Sequence, residues 1–264
     1  FAKNIFQPTM DVQELSRQEY TARINRVMDY ISQNLDQPID LSSMAEVASF
    51  SPYHFHRIFT FIVKETPNNF VSRIKLEKAA QMLLDNHKSS VSDIAAHCGF
   101  VNISSFSRAF KLFFGLSAME FRREGKAIFI KNGIRYSKNG KMLSKIGQKN
   151  EGENNQFCSV ELNQLIIMDT KIEVKQMPEF NLIYCRHMGA FDQIGQAYEK
   201  LFKWAIPRGL VSNETKTATV YHDDPAITSV EKVRQDASII VDGDVKVEGE
   251  IGKSTLRGGR HPRQ

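Results

Sequence analysis

Apolar residues recur at helical spacing from about Glu19 to roughly position 120. From Glu19 to about Leu35 the apolar set is Ile24, Val27, Met28 and Ile31, and Pro38 ends that helix. Asp40 suits an N-cap, and the next helix carries Leu41, Met44, Ala45 and Ala48. Ser49–Phe50 makes a turn, Ser51 caps, and Pro52 takes the first helical position, where a missing N–H costs nothing. From Pro52 to about Lys64, Phe55, Ile58, Phe59 and Ile62 form an inward stripe, while Tyr53, His54, His56, Arg57 and Thr60 face outward. Thr66–Pro67 opens a longer helix, to about Asn86, with Phe70, Ile74, Ala79, Met82 and Leu83 inward. Residues 1–18 show no period and are expected to be a loose lead-in.

The pattern then repeats. Ser90 or Ser92 starts a helix with Val91, Ile94, Ala95 and Cys98, and Gly99 provides the turn. The helix from about Ile103 to Phe114 turns Phe106, Ala109, Phe110 and Phe113 inward and Ser104, Ser105, Ser107, Arg108 and Lys111 outward. Phe55/Phe106, Arg57/Arg108 and Phe59/Phe110 match at a constant offset of 51, so F-x-R-x-F occurs twice. A last short helix follows Ser117. Two such helix–turn–helix units make residues 19–124 an all-α domain.

The texture changes over 125–169, where Gly, Asn, Ser and Lys dominate, as expected of a basic linker with a small hairpin at Asn139–Gly140. Beyond it, Lys171–Met177 and Asn181–His187 read as strands. Phe191 to about Ala205 reads as a helix, and Thr217–His222 and Ala237–Val241 as two more strands. After Val241 only scattered Gly and a basic tail remain. The order β-β-α-β-β predicts an α+β domain over 170–264. The whole is thus a multidomain chain, all-α and then α+β.

Composition narrows the function. With 41% hydrophobic and 25% charged residues among 264, the chain is an ordinary globular one. No run of about 18 apolar residues exists, so no membrane span is expected. The first residues lack the basic start and apolar core of a signal peptide, which points to the cytoplasm. Three cysteines, Cys98, Cys158 and Cys185, without a CxxC, argue against a disulfide framework or a zinc ribbon. His54 and His56 stand at i and i+2, which point apart on a helix, so a shared metal is not expected, and no cofactor is expected either. No GxSxG, P-loop or HExxH occurs, and no spacing favours a triad, so the chain reads as a non-enzyme. Net charge is +5, and the basic excess is densest over 127–160, with 6 Lys and Arg against 2 Asp and Glu.

A polar, basic second helix in a helix–turn–helix fits the major groove, where every base pair shows a distinct donor and acceptor pattern. Arg57 and Arg108 can bond guanine or phosphate, and Tyr53, Ser104 and Ser105 can touch base edges or methyl groups. A 19-residue connecting helix spans about 28 Å at about 1.5 Å per residue, close to the ~34 Å turn of duplex DNA. The two outward faces differ, so the site is expected to be asymmetric.

LSSMAEVASFSPYHFHRIF and VSDIAAHCGFVNISSFSRAFKLFFGLSAMEFRR, between about Tyr20 and Arg123, resemble the DNA-binding domain of the AraC/XylS family of bacterial transcription regulators. The resemblance implies seven helices, double-stranded DNA as partner and RNA polymerase as a further one. It implies recognition by Tyr53, His56 and Arg57 in the first unit and by Ile103, Ser104, Ser105, Ser107 and Arg108 in the second; His54 and Lys111 lie on the same outward faces. Ala118 stands where the family usually has Pro after Ser117.

MPEFNLIYCRHMGAFDQIGQAYEKLFKWA and ATVYHDDPAITSVEKVRQDASIIVDGDV resemble the GyrI-like effector-binding domain. That resemblance implies a small aromatic or cationic effector bound between two related halves. Only about 95 residues follow Thr170, so the second half is expected to be mostly missing. Trp204 and Tyr221 are the candidate ligand contacts. An alternative is a small-molecule binding or hydrolytic protein of the GyrI-like type whose helical domain is an adaptor.

Overall fold

A computed structural model describes residues 12–85, 89–123 and 173–263. The linker reading over 125–169, its hairpin and Cys158 lie outside the described residues. Helix α1 runs Val12–Gln33, starting earlier than the loose lead-in expected over residues 1–18. Its first turns lack an apolar stripe, but Gln, Glu, Leu and Arg are good helix formers, so propensity extends the helix where periodicity is silent.

α2 (Leu41–Val47) and α3 (Pro52–Val63) form the first unit. The Asp40 carboxylate accepts the Ser43 N–H at 2.8 Å, and the Ser43 hydroxyl accepts the Asp40 N–H at 3.2 Å. Ser51 caps α3 by accepting the His54 N–H at 3.4 Å. α4 (Pro67–Asp85) follows, then α5 (Val91–His97) and α6 (Ile103–Phe114) as the second unit, and a helical stretch over 118–123, α7. Ser90 and Asp93 make the reciprocal cap of α5, and the Asn102 side chain accepts the Ser105 N–H at 2.7 Å to start α6. The N-caps of α2 and α5 are 50 residues apart, those of α3 and α6 are 51. The second turn is therefore one residue longer.

Each unit has its own apolar core. Phe55 and Phe59 pack with Ile24, Met28, Ile31 and Met44; Phe106 and Phe110 pack with Ile94, Ala95, Phe114 and Phe121. α4 serves both, giving Phe70, Val71 and Ile74 to the first and Leu76, Ala79, Ala80 and Leu83 to the second. A helix buried at both ends on different cores acts as a strut.

The C-terminal domain holds a four-stranded antiparallel sheet, ordered β3-β4-β2-β5, with a separate β1-β6 pair. Its strands are β1 (Glu173–Met177), β2 (Phe180–Met188), β3 (Thr217–Tyr221), β4 (Arg234–Val241), β5 (Ile251–Leu256) and β6 (Gly259–Arg263). β5 and β6 correct the sequence reading, which ends the strands at Val241. In β5 only Ile251 is buried, so no apolar alternation marks it. β2 pairs with both β4 and β5, with Tyr184 opposite Ser238 and Gly252. α8 (Gly195–Ala205), preceded by a single 3-10 turn at Phe191–Gln193, packs Ala197, Leu201 and Ala205 against Ile183, Cys185, Ala237 and Ile239. The opposite sheet face, with Tyr184, Arg186 and Asp236, meets α1: the Tyr184 hydroxyl donates to Asp29 at 2.8 Å and Arg186 pairs with Asp29 at 2.8 Å. Among the described residues no helix is long and apolar enough to cross a membrane.

Candidate nucleic-acid interface

The outer faces of α3 and α6 are built alike. Tyr53, His56 and Arg57 are exposed on α3; Ile103, Ser104, Ser105, Ser107, Arg108 and Lys111 are exposed on α6. Neither helix contains an acidic residue. The Arg57 guanidinium lies 5.7 Å from the centre of the Tyr53 ring, and among the described residues no carboxylate pairs with Arg57 or Arg108. Two unneutralised guanidinium groups on convex helix faces suit an anionic partner.

His54 departs from its expected place. It is half-buried, its ring 4.9 Å from Phe50 and 5.9 Å from Tyr20, in edge contacts that close α1 over the first turn. Its position at 100° from Tyr53 on the helix carries it toward α1 rather than outward. Conversely, Phe61 and Leu112 are missed by the sequence reading. They are 72% and 61% exposed and continue the outward stripes Tyr53–Arg57–Phe61 and Ser104–Arg108–Leu112 at steps of four. The offset of 51 already pairs them, but apolar residues among other apolar residues give no polar signal.

The turns are held by long cationic side chains from neighbouring helices. Arg23 donates to the carbonyls of Ala48 at 3.3 Å and Ser49 at 3.1 Å, and its guanidinium sits 4.9 Å from the centre of the Phe50 ring. Lys75, on the strut, donates to the Gly99 carbonyl at 3.1 Å and the Gln37 carbonyl at 3.4 Å. Burial pushes its ammonium below the usual lysine range, although the Cys98 thiol and Asp36 act the other way. Gly99 has φ 69°, and a Cβ there would fall 2.3 Å from the Leu35 carbonyl oxygen and 2.6 Å from the Lys75 Nζ. Only glycine fits.

Trp204 and Tyr221 do not share a site. Trp204 lies in the last turn of α8, half-buried, with the Arg208 guanidinium 4.3 Å from its ring centre. Tyr221 ends β3, 60% exposed, its ring 5.0 Å from Phe191 just before α8 begins. The two aromatic contacts thus belong to opposite ends of that helix.

The chain matches two domain families: a helix-turn-helix domain over residues 44–124 and a GyrI-like small molecule binding domain over 170–261. It is 32% identical over 102 residues to the probable transcriptional regulator LumQ of Photobacterium leiognathi, covering 38% of this chain and 41% of LumQ. It is 29% identical over 110 residues to the bifunctional transcriptional activator/DNA repair enzyme AdaA of Bacillus subtilis, covering 42% of this chain and 52% of AdaA. The chain thus spans about half or less of these two relatives. Tn10 TetD of Escherichia coli is 32% identical over 107 residues, which cover 40% of this chain and 77% of TetD. Among solved structures, the C-terminal domain of AraT from Geobacillus stearothermophilus is 25% identical, with a TM-score of 0.37 and coverage of 48% of this chain and 93% of that one. The relatives are mostly transcription regulators, and the chain belongs to the AraC/XylS family, with a GyrI-like domain behind its paired helix–turn–helix units.

Proposed function

We propose that the chain is a sequence-specific DNA-binding transcription regulator of the bacterial cytoplasm, with no catalytic activity of its own. It reads two adjacent major-groove segments of duplex DNA with α3 and α6. The observation that carries this reading is the pair of acid-free helix faces, each with an exposed Arg at the same place, on one 19-residue strut. Tyr53, His56 and Arg57, and Ile103, Ser104, Ser105, Ser107, Arg108 and Lys111, make the contacts. His54 shapes the first turn through its ring contacts. RNA polymerase is the partner that receives the signal.

The GyrI-like domain supplies small-molecule control, with an aromatic or cationic effector. The exposed Tyr221–Phe191 ring pair supports an aromatic contact near the end of β3. Trp204 is the only tryptophan, so its emission reports on the other end of α8.

Selection from a random duplex pool tests the main reading. The expected result is an enriched, asymmetric site with two recognised segments about one DNA turn apart, bound in a salt-sensitive manner. A pool that yields no enriched sequence sinks it.

A further inference from the structure

The segment joining β3 to β4 lies against both helix–turn–helix units. The Lys232 ammonium meets the Glu65 carboxylate at 2.6 Å. Glu65 follows the C-cap of α3 and precedes α4, so it marks the elbow between the first reading helix and the strut. The same carboxylate receives the Arg73 guanidinium at 2.6 and 3.0 Å, and Arg73 reaches on to Glu77 at 2.9 Å. One line of charges therefore runs from the C-terminal domain along the first half of α4.

Arg234, at the start of β4, adds a second tie. Asp223 holds it through two guanidinium bonds at 2.8 and 2.7 Å, and it donates to the Ser32 hydroxyl of α1 at 3.0 Å. Its guanidinium lies 5.5 Å from the centre of the Phe70 ring of α4. Apolar contacts complete the bridge. Met188 packs on the core of the first unit and Ile227 on the core of the second. Buried ion pairs add little net stability against apolar packing, but they are selective about geometry. Here they hold the start of the strut beside the elbow that follows α3.

We propose that Ile227, Lys232 and Arg234 are positioning residues for DNA reading: from the C-terminal domain they hold α4 and so fix the separation and angle of α3 and α6. The role rests on the DNA-reading function above. It makes the effector-binding domain part of the ruler that sets the spacing of the two recognised segments. A change in that domain reaches the DNA through the β3–β4 segment and the elbow at Glu65.

The test uses the full chain and a double Ile227→Ala, Lys232→Ala variant. Lys232→Ala alone leaves the Glu65–Arg73 pair intact and serves if the double variant does not fold. Amide exchange over residues 64–77, measured without DNA, is expected to rise roughly tenfold, as for loss of a hydrogen bond to a charged group. In duplex selection the wild type is expected to enrich one fixed separation and the variant a spread of separations, with Lys232→Arg restoring the single one. Unchanged exchange together with unchanged selection overturns the proposal. Faster exchange with unchanged selection makes the residues merely structural and also overturns it. If the wild type enriches no sequence at all, the DNA reading itself has failed, and a positioning role for it falls with it; the exchange data then report the contact alone.

Discussion

Lys64 and Gly115 occupy the same place in the two units, 51 residues apart, and both adopt the left-handed conformation that ends a reading helix, with φ of 61° and 77°. A side chain pays a steric cost there that glycine does not. The Lys64 ammonium sits 4.4 Å from the centre of the Phe61 ring, which offsets part of it. Lys64→Gly is expected to raise stability by a few tenths to about 1 kcal/mol, and Gly115→Ala to lower it by about 1 kcal/mol. Denaturant midpoints of the two variants check the pair. Asp236 is a second residue whose place decides its chemistry. Burial works against its ionisation, but hydrogen bonds from Arg186 and His222 outweigh that and bring it down to about 2 from an ordinary 3.8. The native state then holds fewer protons than the unfolded chain between those values. Stability from Asp236 is thus full above about pH 5 and lost as pH falls through about 2, a loss of about 2 kcal/mol. Asp236→Asn is expected to be less stable at pH 6 and to lose correspondingly less on acidification, read from urea midpoints across that range.

At the scale of elements, α4 and the elbow before it carry the most informative contrast. Glu65 and Glu77 both pair with Arg73, yet their environments differ. For Glu65 burial alone would raise the carboxyl, but Arg73 and Lys232 hold it below the ordinary range. For Glu77 burial dominates and the charge of Asp223 adds to it, so the carboxyl is raised despite Arg73 and Thr228. Removing the charge should therefore matter more at Glu65. Glu65→Gln is expected to cost about 3 kcal/mol or more, because it leaves Arg73 and Lys232 underpaired in a buried place. Glu77→Gln is expected to cost about 1–2 kcal/mol. Equal midpoints for the two variants would refute the contrast. The strands make the complementary point. Residues 182–185 of β2 are buried four in a row, because α8 covers one face of the sheet and α1 the other. Read alone, Tyr184 and Arg186 in β2 and Asp236 in β4 pass for the solvent side of a half-buried sheet.

For the whole molecule, the decisive measurement is salt. If α3 and α6 lie against duplex DNA, log affinity falls linearly with log salt, by about 0.9 for each phosphate neutralised. Arg57→Ala and Arg108→Ala are each expected to cost about 1–3 kcal/mol on the selected site where the Arg reads a base, leaving the salt slope in place. Where the Arg holds a phosphate, the slope falls by about 1 instead, and the loss is uniform across sequences. An affinity untouched by either change would remove these residues from the interface.

The helix–turn–helix pair was legible because its signals are local. Asp40, Ser51, Pro52 and Ser90 sit at helix starts, and helical spacing selects Phe55, Phe59, Phe106 and Phe110 as core. Caps, turns and the 3.6-residue period depend on neighbours within a few positions, so the chain alone determined them, along with the offset of 51 and the family resemblance. β5 was not legible, because a strand with one buried side chain is held by its ladder of backbone bonds to β2 rather than by a pattern. The half-burial of His54, and the ties of Lys232 to the elbow before α4 and of Arg234 to α1 and α4, were not legible either. Their surroundings come from residues as far away as Tyr20, Glu65 and Ser32, and only the tertiary structure brings those together. A charged side chain reads the same in sequence whether water or a partner from another domain surrounds it. The fold decides which, because desolvation and pairing are properties of a place in space and not of a position in the chain.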